Sequence, residues 1–226
     1  MTSTAAATSF PKPHRDRGIE GRMATWYAAT TSKMMRDFED LAQKVARELP
    51  DGGSLLEVAP GPGYFCVELA KLGRYRITGV DLSADMVRIA RENAARAGVS
   101  AEFQQGNAAS LPFAENAFDF LVCRAAFKNF AKPVQALHEM HRVLKPGARA
   151  LIIDLRRNAP VDEISREVDR MGLTAMNRIV TKLTFRFMLL KSAYAREHFE
   201  QMLAQTPFRA RQINDGGIGF EIWLTK

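Results

Sequence analysis

The sequence predicts an α/β fold, a parallel sheet with helices on both faces, on three observations. A short apolar run, Leu55-Leu56-Glu57-Val58, leads into a turn carrying two glycines, Gly61 and Gly63, and a helix-like segment follows from Tyr64 to Leu72. A second β-type run, Ile77-Thr78-Gly79-Val80-Asp81, comes one helix later and ends in an acid. Beyond it, β-type runs keep alternating with segments of helical period, as strands of one direction joined by crossover helices do.

The elements follow in order. Glycines in the first turn permit backbone angles and close approaches closed to other residues. After Asp81, Ser83 is placed to cap a helix in which Met86, Ile89, Ala90, Asn93 and Ala97 recur at helical spacing. Ala101 to Gly106 reads as a third strand, which delivers Asn107-Ala108 and then Leu111-Pro112-Phe113. Phe118 to Arg124 reads as a fourth. A helix from Pro133 to Leu144 stops at Lys145-Pro146-Gly147, and Ala150 to Asp154 is a fifth strand. From Arg156 to about Phe208 the chain is helical again. Val161, Ile164, Val168 and Met171 mark one amphipathic helix, and Met176, Ile179, Val180, Leu183, Phe187 and Leu190 a second. A third spans about Arg196 to Ala204, and Phe208 to Ile213 and Gly219 to Leu224 read as closing strands.

A strand feeding a glycine turn and a helix is the entry unit of nucleotide-binding α/β folds. The dinucleotide fingerprint needs a third glycine where this chain has Cys66. The phosphate loop needs Gly-Lys-Ser/Thr where it has Tyr64-Phe65. The turn therefore fits neither phosphate-binding version. Asp81, at the tip of the second strand, can accept both ribose hydroxyls of an adenosine, whichever cofactor carries it.

Four landmarks stand in order: Glu57-Val58-Ala59-Pro60-Gly61-Pro62-Gly63, Gly79-Val80-Asp81-Leu82-Ser83 with Met86, Gly106-Asn107-Ala108 with Leu111-Pro112-Phe113, and Arg142-Val143-Leu144-Lys145-Pro146-Gly147. With them, residues from about Leu55 to Asp154 resemble the class I S-adenosylmethionine (SAM)-dependent methyltransferases, in particular the small-molecule branch that includes the ubiquinone/menaquinone C-methyltransferases. The resemblance implies a Rossmann-like, doubly wound, mostly parallel seven-stranded sheet with the last strand antiparallel, plus a helical insertion between strands five and six. It implies SAM as cofactor and S-adenosylhomocysteine as product. Glu57 is then expected near the methionine amino group, the backbone of Ala59, Gly61 and Gly63 beside the methionyl and ribose parts, and Asp81 on the ribose. Leu82 and Met86 are expected over the adenine and Asn107-Ala108 at its edge. Where the family usually has Asp, this chain has Asn107, whose amide oxygen still accepts from an adenine amine but without charge assistance. Related enzymes place an aromatic residue against the methionyl end, and Tyr27 is the candidate, with Trp26 next, since a ring face attracts a sulfonium. Both rings can equally staple a helix to the core.

At 226 residues the chain suits one domain with a full core, and 46% hydrophobic and 25% charged residues are ordinary for a globular protein. The expected organisation is a disordered arm at 1–20 and one methyltransferase domain at 21–226, with a helical lid at 21–50 and a helical cap at 156–208. Two cysteines, Cys66 and Cys123, make neither a disulfide framework nor a zinc pattern, so no metal and a cytoplasmic setting are expected. No apolar run reaches the ~18 residues of a membrane span. The net charge of +7 is spread along the chain and gives nonspecific attraction to polyanions, and no nucleic-acid module accompanies it. The expected partner is a small-molecule acceptor of apolar or anionic character. Oligomeric state leaves no mark in the sequence.

The segment between the fifth and sixth strands commonly caps the acceptor pocket in this family. Phe185, Met188 and Leu189 are candidates for its lining, although such stripes most often pack on the sheet. Phe127 and Lys128, in the loop after the fourth strand, are further candidates, and Arg124 is expected at the cofactor carboxylate or an anionic acceptor. Lys128 also reads as a solvated residue at a helix entry. His138 and His141 read as packing or surface residues, and no general base is assigned. Methyl transfer is an in-line displacement in which orientation carries much of the rate. Two other readings share these residues: an enzyme that binds SAM for cyclase-like chemistry, and a noncatalytic SAM-binding regulatory subunit.

Overall fold

A computed structural model of the chain describes residues 18–170, 175–184 and 190–226. Helix α1 (Gly21–Thr31) and a 3-10 turn (Ser32–Met34) lead into α2 (Met35–Ala46). The alternating body follows: β1 (Ser54–Val58), α3 (Tyr64–Ala70), β2 (Arg76–Asp81), α4 (Ala84–Ala97), β3 (Glu102–Gln105), β4 (Phe118–Arg124), α5 (Pro133–Val143) and β5 (Leu144–Leu155). Helices α6 (Val161–Arg170), α7 (Ala175–Thr184), α8 (Leu190–Ser192) and α9 (Arg196–Ala204) precede the hairpin of β6 (Ala210–Gly216) and β7 (Gly219–Thr225).

The seven strands form one sheet in the order β3-β2-β1-β4-β5-β7-β6. Pairings from β3 through β5 are parallel. The last strand, β7, lies between β5 and β6 and runs antiparallel to both. The two-residue period of the strands sorts side chains into two cores. Leu55, Phe120, Val122 and Leu151 face α2, α3 and α4, whereas Leu56, Leu121, Cys123 and Ile152 face α5 and α9. Strand β1 is buried at every position, as a central strand covered on both faces must be. β6 is exposed at nearly every position and carries Arg211, Asn214 and Asp215, the charged and polar side chains that keep a sheet edge from pairing further.

Local chemistry sets the boundaries. Ser83 caps α4 by accepting from the Met86 N–H at 3.0 Å, and Gly98 ends the helix in the left-handed region. The fifth strand begins at Leu144, six residues before the apolar run that the sequence marks. Pro146 disfavours helix at the residue before it, and Leu144 is already extended with ψ 144°. A register break between Phe118 and Phe120 then accommodates the segment before Arg149. Gly18 to Glu20, assigned by sequence to a disordered arm, lie against the start of α4: the Ile19 carbonyl accepts from Ser83 Oγ at 2.7 Å, and Glu20 accepts from the Ala84 and Asp85 N–H groups.

Gly63 stands at φ +75°, and a Cβ on it would meet Ala90 Cβ at 2.8 Å and the Phe103 ring at 2.9 Å. This glycine is required by the packing of α3 against α4 and β3. Gly63→Ala is expected to lower unfolding free energy by about 2 kcal/mol or more in urea titration, from left-handed strain and overpacking together.

Candidate active site

A cleft opens at the carboxyl ends of β1, β2 and β4, where the strand order turns back across β1. This is where open α/β sheets bind ligands. Its empty space is about 1110 Å³ including the mouth.

The chain leaves β1 through Ala59, held at φ +59° by its N–H bond to the Val80 carbonyl at 2.8 Å. Gly61, at φ +54°, donates its N–H to Asp81 Oδ2 at 3.0 Å, and Ser83 donates to Asp81 Oδ1 at 2.9 Å. Burial raises the Asp81 carboxyl above its ordinary value, and these two N–H groups partly offset the rise. Glu57, at the end of β1, is 3% exposed, and its Oε2 accepts from the Cys66 thiol at 2.9 Å. Burial pushes its pKa up to about 7; Cys66 and Arg124 pull it down and Asp81 pushes it up.

Arg124, at the end of β4, lies over the Phe38 ring at 4.5 Å, with Asp37 3.9 Å away. The next residue, Ala125, holds φ +57° while its N–H bonds the Ile153 carbonyl at 2.7 Å. Tyr27 on α1 faces the glycine turn: a Cβ on Gly61 would meet only its ring, at 3.7 Å. Two contacts hold α1 in place. Tyr64 Oη donates to the Ala28 carbonyl at 3.0 Å, and the Gly21 N–H donates to Asp85 at 2.6 Å. Asn107 spends an acceptor site within its own turn, where Oδ1 takes the Ala109 N–H at 2.8 Å.

The structure thus brings Tyr27, Glu57, Ala59, Gly61 and Asp81 to one cleft, and with them Leu82, Met86, Asn107, Ala108 and Arg124. Gly63 does not line it, because its hydrogen-only side faces Ala90 and Phe103. Trp26 points away and is 62% exposed, one helix position round from Tyr27. Phe127 is fully buried, stacked among Phe130, Tyr194 and Phe199, so it belongs to the core. Lys128 is not solvated. Its ammonium is buried against Asp154 at 3.1 Å and the Ala125 carbonyl at 2.7 Å, while its N–H donates to the other Asp154 oxygen. Phe185, Met188 and Leu189 lie outside the described residues. His138 is exposed, and His141 packs edge-on to Phe208, its pKa held down first by burial. His198 is buried on α9, and none of these three lines the cleft. Further lining residues were missed by sequence reasoning: Thr31 on α1, Phe38 on α2, Ala126 and Phe130 after β4, and Ala136 on α5.

A family described as a methyltransferase domain matches residues 56–152. A demethylmenaquinone methyltransferase of Chlorobaculum parvum is 31% identical over 182 residues, covering 76% of this chain and 74% of that protein. The chain belongs to the class I SAM-dependent methyltransferases, in the ubiquinone/menaquinone C-methyltransferase-like branch. A ubiquinone/menaquinone biosynthesis C-methyltransferase of Bdellovibrio bacteriovorus is 35% identical over 114 residues, which span 49% of this chain and 48% of that protein. In fold, the methyltransferase superposes on a SAM-dependent methyltransferase from Aquifex aeolicus with a TM-score of 0.63, at 20% identity, over 81% of this chain and 88% of that one.

The donor set of this methyltransferase fits its cofactor, SAM. Glu57 and Asp81 offer carboxylate acceptors for ammonium and hydroxyl donors, and the Arg124 guanidinium offers a site for a carboxylate. Leu82 and Met86 supply apolar faces for a ring. Among the described residues no group of three or more His, Cys, Asp or Glu is placed to hold a metal ion, and no helix is long and apolar enough to cross a membrane.

Glu57 ties the methyltransferase's stability to pH. Its carboxyl holds a proton up to about pH 7 in the folded chain, against 4.5 for the ordinary value. Between those limits the native state binds the extra proton, so this group's contribution falls as pH rises and is lost above pH 7, about 3 kcal/mol in all. Glu57→Gln is therefore expected to melt several degrees higher than wild type at pH 8 and close to it at pH 4.5, read by calorimetry. Asp154→Ala leaves the Lys128 ammonium buried without its counter-ion, with the Ala125 carbonyl beside it, and is expected to cost about 3–5 kcal/mol in urea titration.

Proposed function

We propose that this methyltransferase transfers the methyl group of SAM to a small acceptor of the reduced-quinone or phenol type, by in-line displacement in a partly apolar pocket. One observation carries the reading: the same cleft is lined by the two buried acids and by apolar side chains, Phe38, Ala126, Phe130 and Ala136 among them, with Asn129 and Lys132 beside these. The polar lining suits the cofactor and the apolar lining suits a flat hydrophobic ring. The demethylmenaquinone methyltransferase matched over most of its length acts, by its name, on such a ring.

In this reading Asp81 accepts the two ribose hydroxyls, and Glu57 takes the ammonium of the methionyl part. Arg124 meets its carboxylate, and Leu82 with Met86 covers the adenine beside Asn107-Ala108. Tyr27 presents its ring to the sulfonium, an attraction of roughly 0.5–2 kcal/mol. The cofactor supplies an electrophilic methyl group. The chain supplies orientation and the exclusion of water, which are worth about 7–11 kcal/mol in favourable cases. No histidine of the described residues borders the cleft, which suits acceptors that arrive already deprotonated or need little proton removal, such as acidic phenols. A cytoplasmic setting and one domain with its lid at 21–50 complete the proposal.

The test is mass-spectrometric detection of S-adenosylhomocysteine and of a methylated product from a panel of reduced and oxidised naphthoquinones. Product from the reduced forms only is expected. Cofactor binding with no S-adenosylhomocysteine from any acceptor would overturn the reading in favour of a noncatalytic or cyclase-like role. Asp81→Ala is expected to weaken SAM binding at least about tenfold by calorimetry, since bonds to a charged group contribute roughly 1.5–3 kcal/mol each.

A further inference from the structure

Cys66 sits in the first turn of α3, fully buried, and outside the set of residues that line the cleft. Its thiol lies 2.9 Å from Glu57 Oε2, on the core side of a carboxylate that borders the cleft. We propose that Cys66 is a positioning residue for Glu57: by donating to Oε2 from the core side, its thiol holds the carboxylate in one orientation and leaves the other oxygen for the cofactor. This deepens the proposed role of Glu57 as the cofactor's ammonium site and rests on it.

The surroundings explain why a thiol serves here. Cys66 packs in the core formed by Leu55, Phe65, Leu69 and their neighbours. A thiol behaves there as a small apolar group that still has one weak donor to give. Its own pKa is driven well above the ordinary value, first by burial and then by Glu57, so the proton stays on sulfur and the bond keeps its direction. The groups that act on Glu57 are few. Cys66 on α3 and Arg124 at the end of β4 favour the anion, Asp81 at the end of β2 opposes it, and burial opposes it most. Cys66 is the hydrogen-bond donor in this set through its thiol, and its main-chain N–H acts on Glu57 in the same sense. Gly63 makes the contact feasible, because its left-handed turn starts α3 close enough for the third helical residue to reach back under β1.

The experiment is calorimetric titration of S-adenosylhomocysteine into wild type, Cys66→Ser, Cys66→Ala and Glu57→Gln between pH 6 and 8, with thermal melts as a folding control. Losing the thiol donor, with the main-chain N–H of residue 66 retained, is expected to move the pH below which binding weakens upward by about one unit. Cys66→Ala then binds about tenfold more weakly than wild type at pH 6 and within about twofold of it at pH 8. Cys66→Ser keeps a donor and is expected to match or exceed wild type at pH 6. Cys66→Val against Cys66→Thr repeats the comparison at nearly equal volume if the smaller side chains destabilise the core. Equal pH profiles for the donor and non-donor variants, with Glu57→Gln pH-independent and weak, would overturn the positioning role while leaving Glu57 as the ammonium site. Wild-type affinity and pH profile in Glu57→Gln would instead remove the ammonium-site reading itself.

Discussion

Asp81 accepts the Gly61 N–H on one carboxylate oxygen and the Ser83 N–H on the other, at 3.0 and 2.9 Å, and so ties the loop after β1 to the loop after β2. The rest of the cleft hangs from this joint. Ser83 turns its hydroxyl both to the Met86 N–H, starting α4, and to the Ile19 carbonyl, holding the chain that leads into α1. Helix α1 then brings Tyr27 over the glycine turn. One acid at the cleft thereby fixes the floor, one wall and the approach of the roof. Charge-assisted bonds of this kind are about twice as strong as neutral ones, which suits a joint between two loops.

The same acids carry an electrostatic cost. Glu57 and Asp81 are both raised by burial; Asp81 raises Glu57 further and Glu20 raises Asp81, with Arg124 a compensating charge for Glu57. A fold optimised for stability alone would place neutral side chains here. A carboxylate that burial raises, as it raises Glu57, gains from a cationic partner, so its cost to folding can return as affinity for a cation.

Much of the fold was legible because its signals are local. Strand β4 and helix α9 have the bounds that pattern alone indicates, and the Ser83 cap follows from residue type at one position. What stayed hidden depends on register between distant segments. Gly61 and Gly63 look alike in sequence, yet one faces the cleft and the other faces Ala90 and Phe103, a difference set by how α4 packs. Ala126 and Phe127 are neighbours, and the small residue lines the cleft while the ring enters the core. Lys128 and Asp154 are 26 residues apart, and only the pairing of β4 with β5 makes them one buried ion pair. Cys66 carried a signal that was read only as an exclusion. It occupies the third-glycine position of a dinucleotide turn, and that position lies beneath the strand's terminal acid.

Strain completes the picture. Among the described residues three non-glycines stand at positive φ; Asn116 is of a type that tolerates the left-handed region, whereas Ala59 and Ala125 are not. These two stand just after β1 and β4, on facing sides of the strand-order reversal, and both border the cleft. Each is pinned by its N–H to a carbonyl of the neighbouring strand, Val80 for Ala59 and Ile153 for Ala125. The Ala125 carbonyl is held in addition by the buried Lys128 ammonium. Sheet hydrogen bonds and one desolvated ion pair thus hold both lips of the cleft in conformations the residues would not adopt alone. Such over-determination fits a reaction whose rate rests on alignment, because lips fixed by the sheet cannot relax away from the geometry that two bound molecules must share.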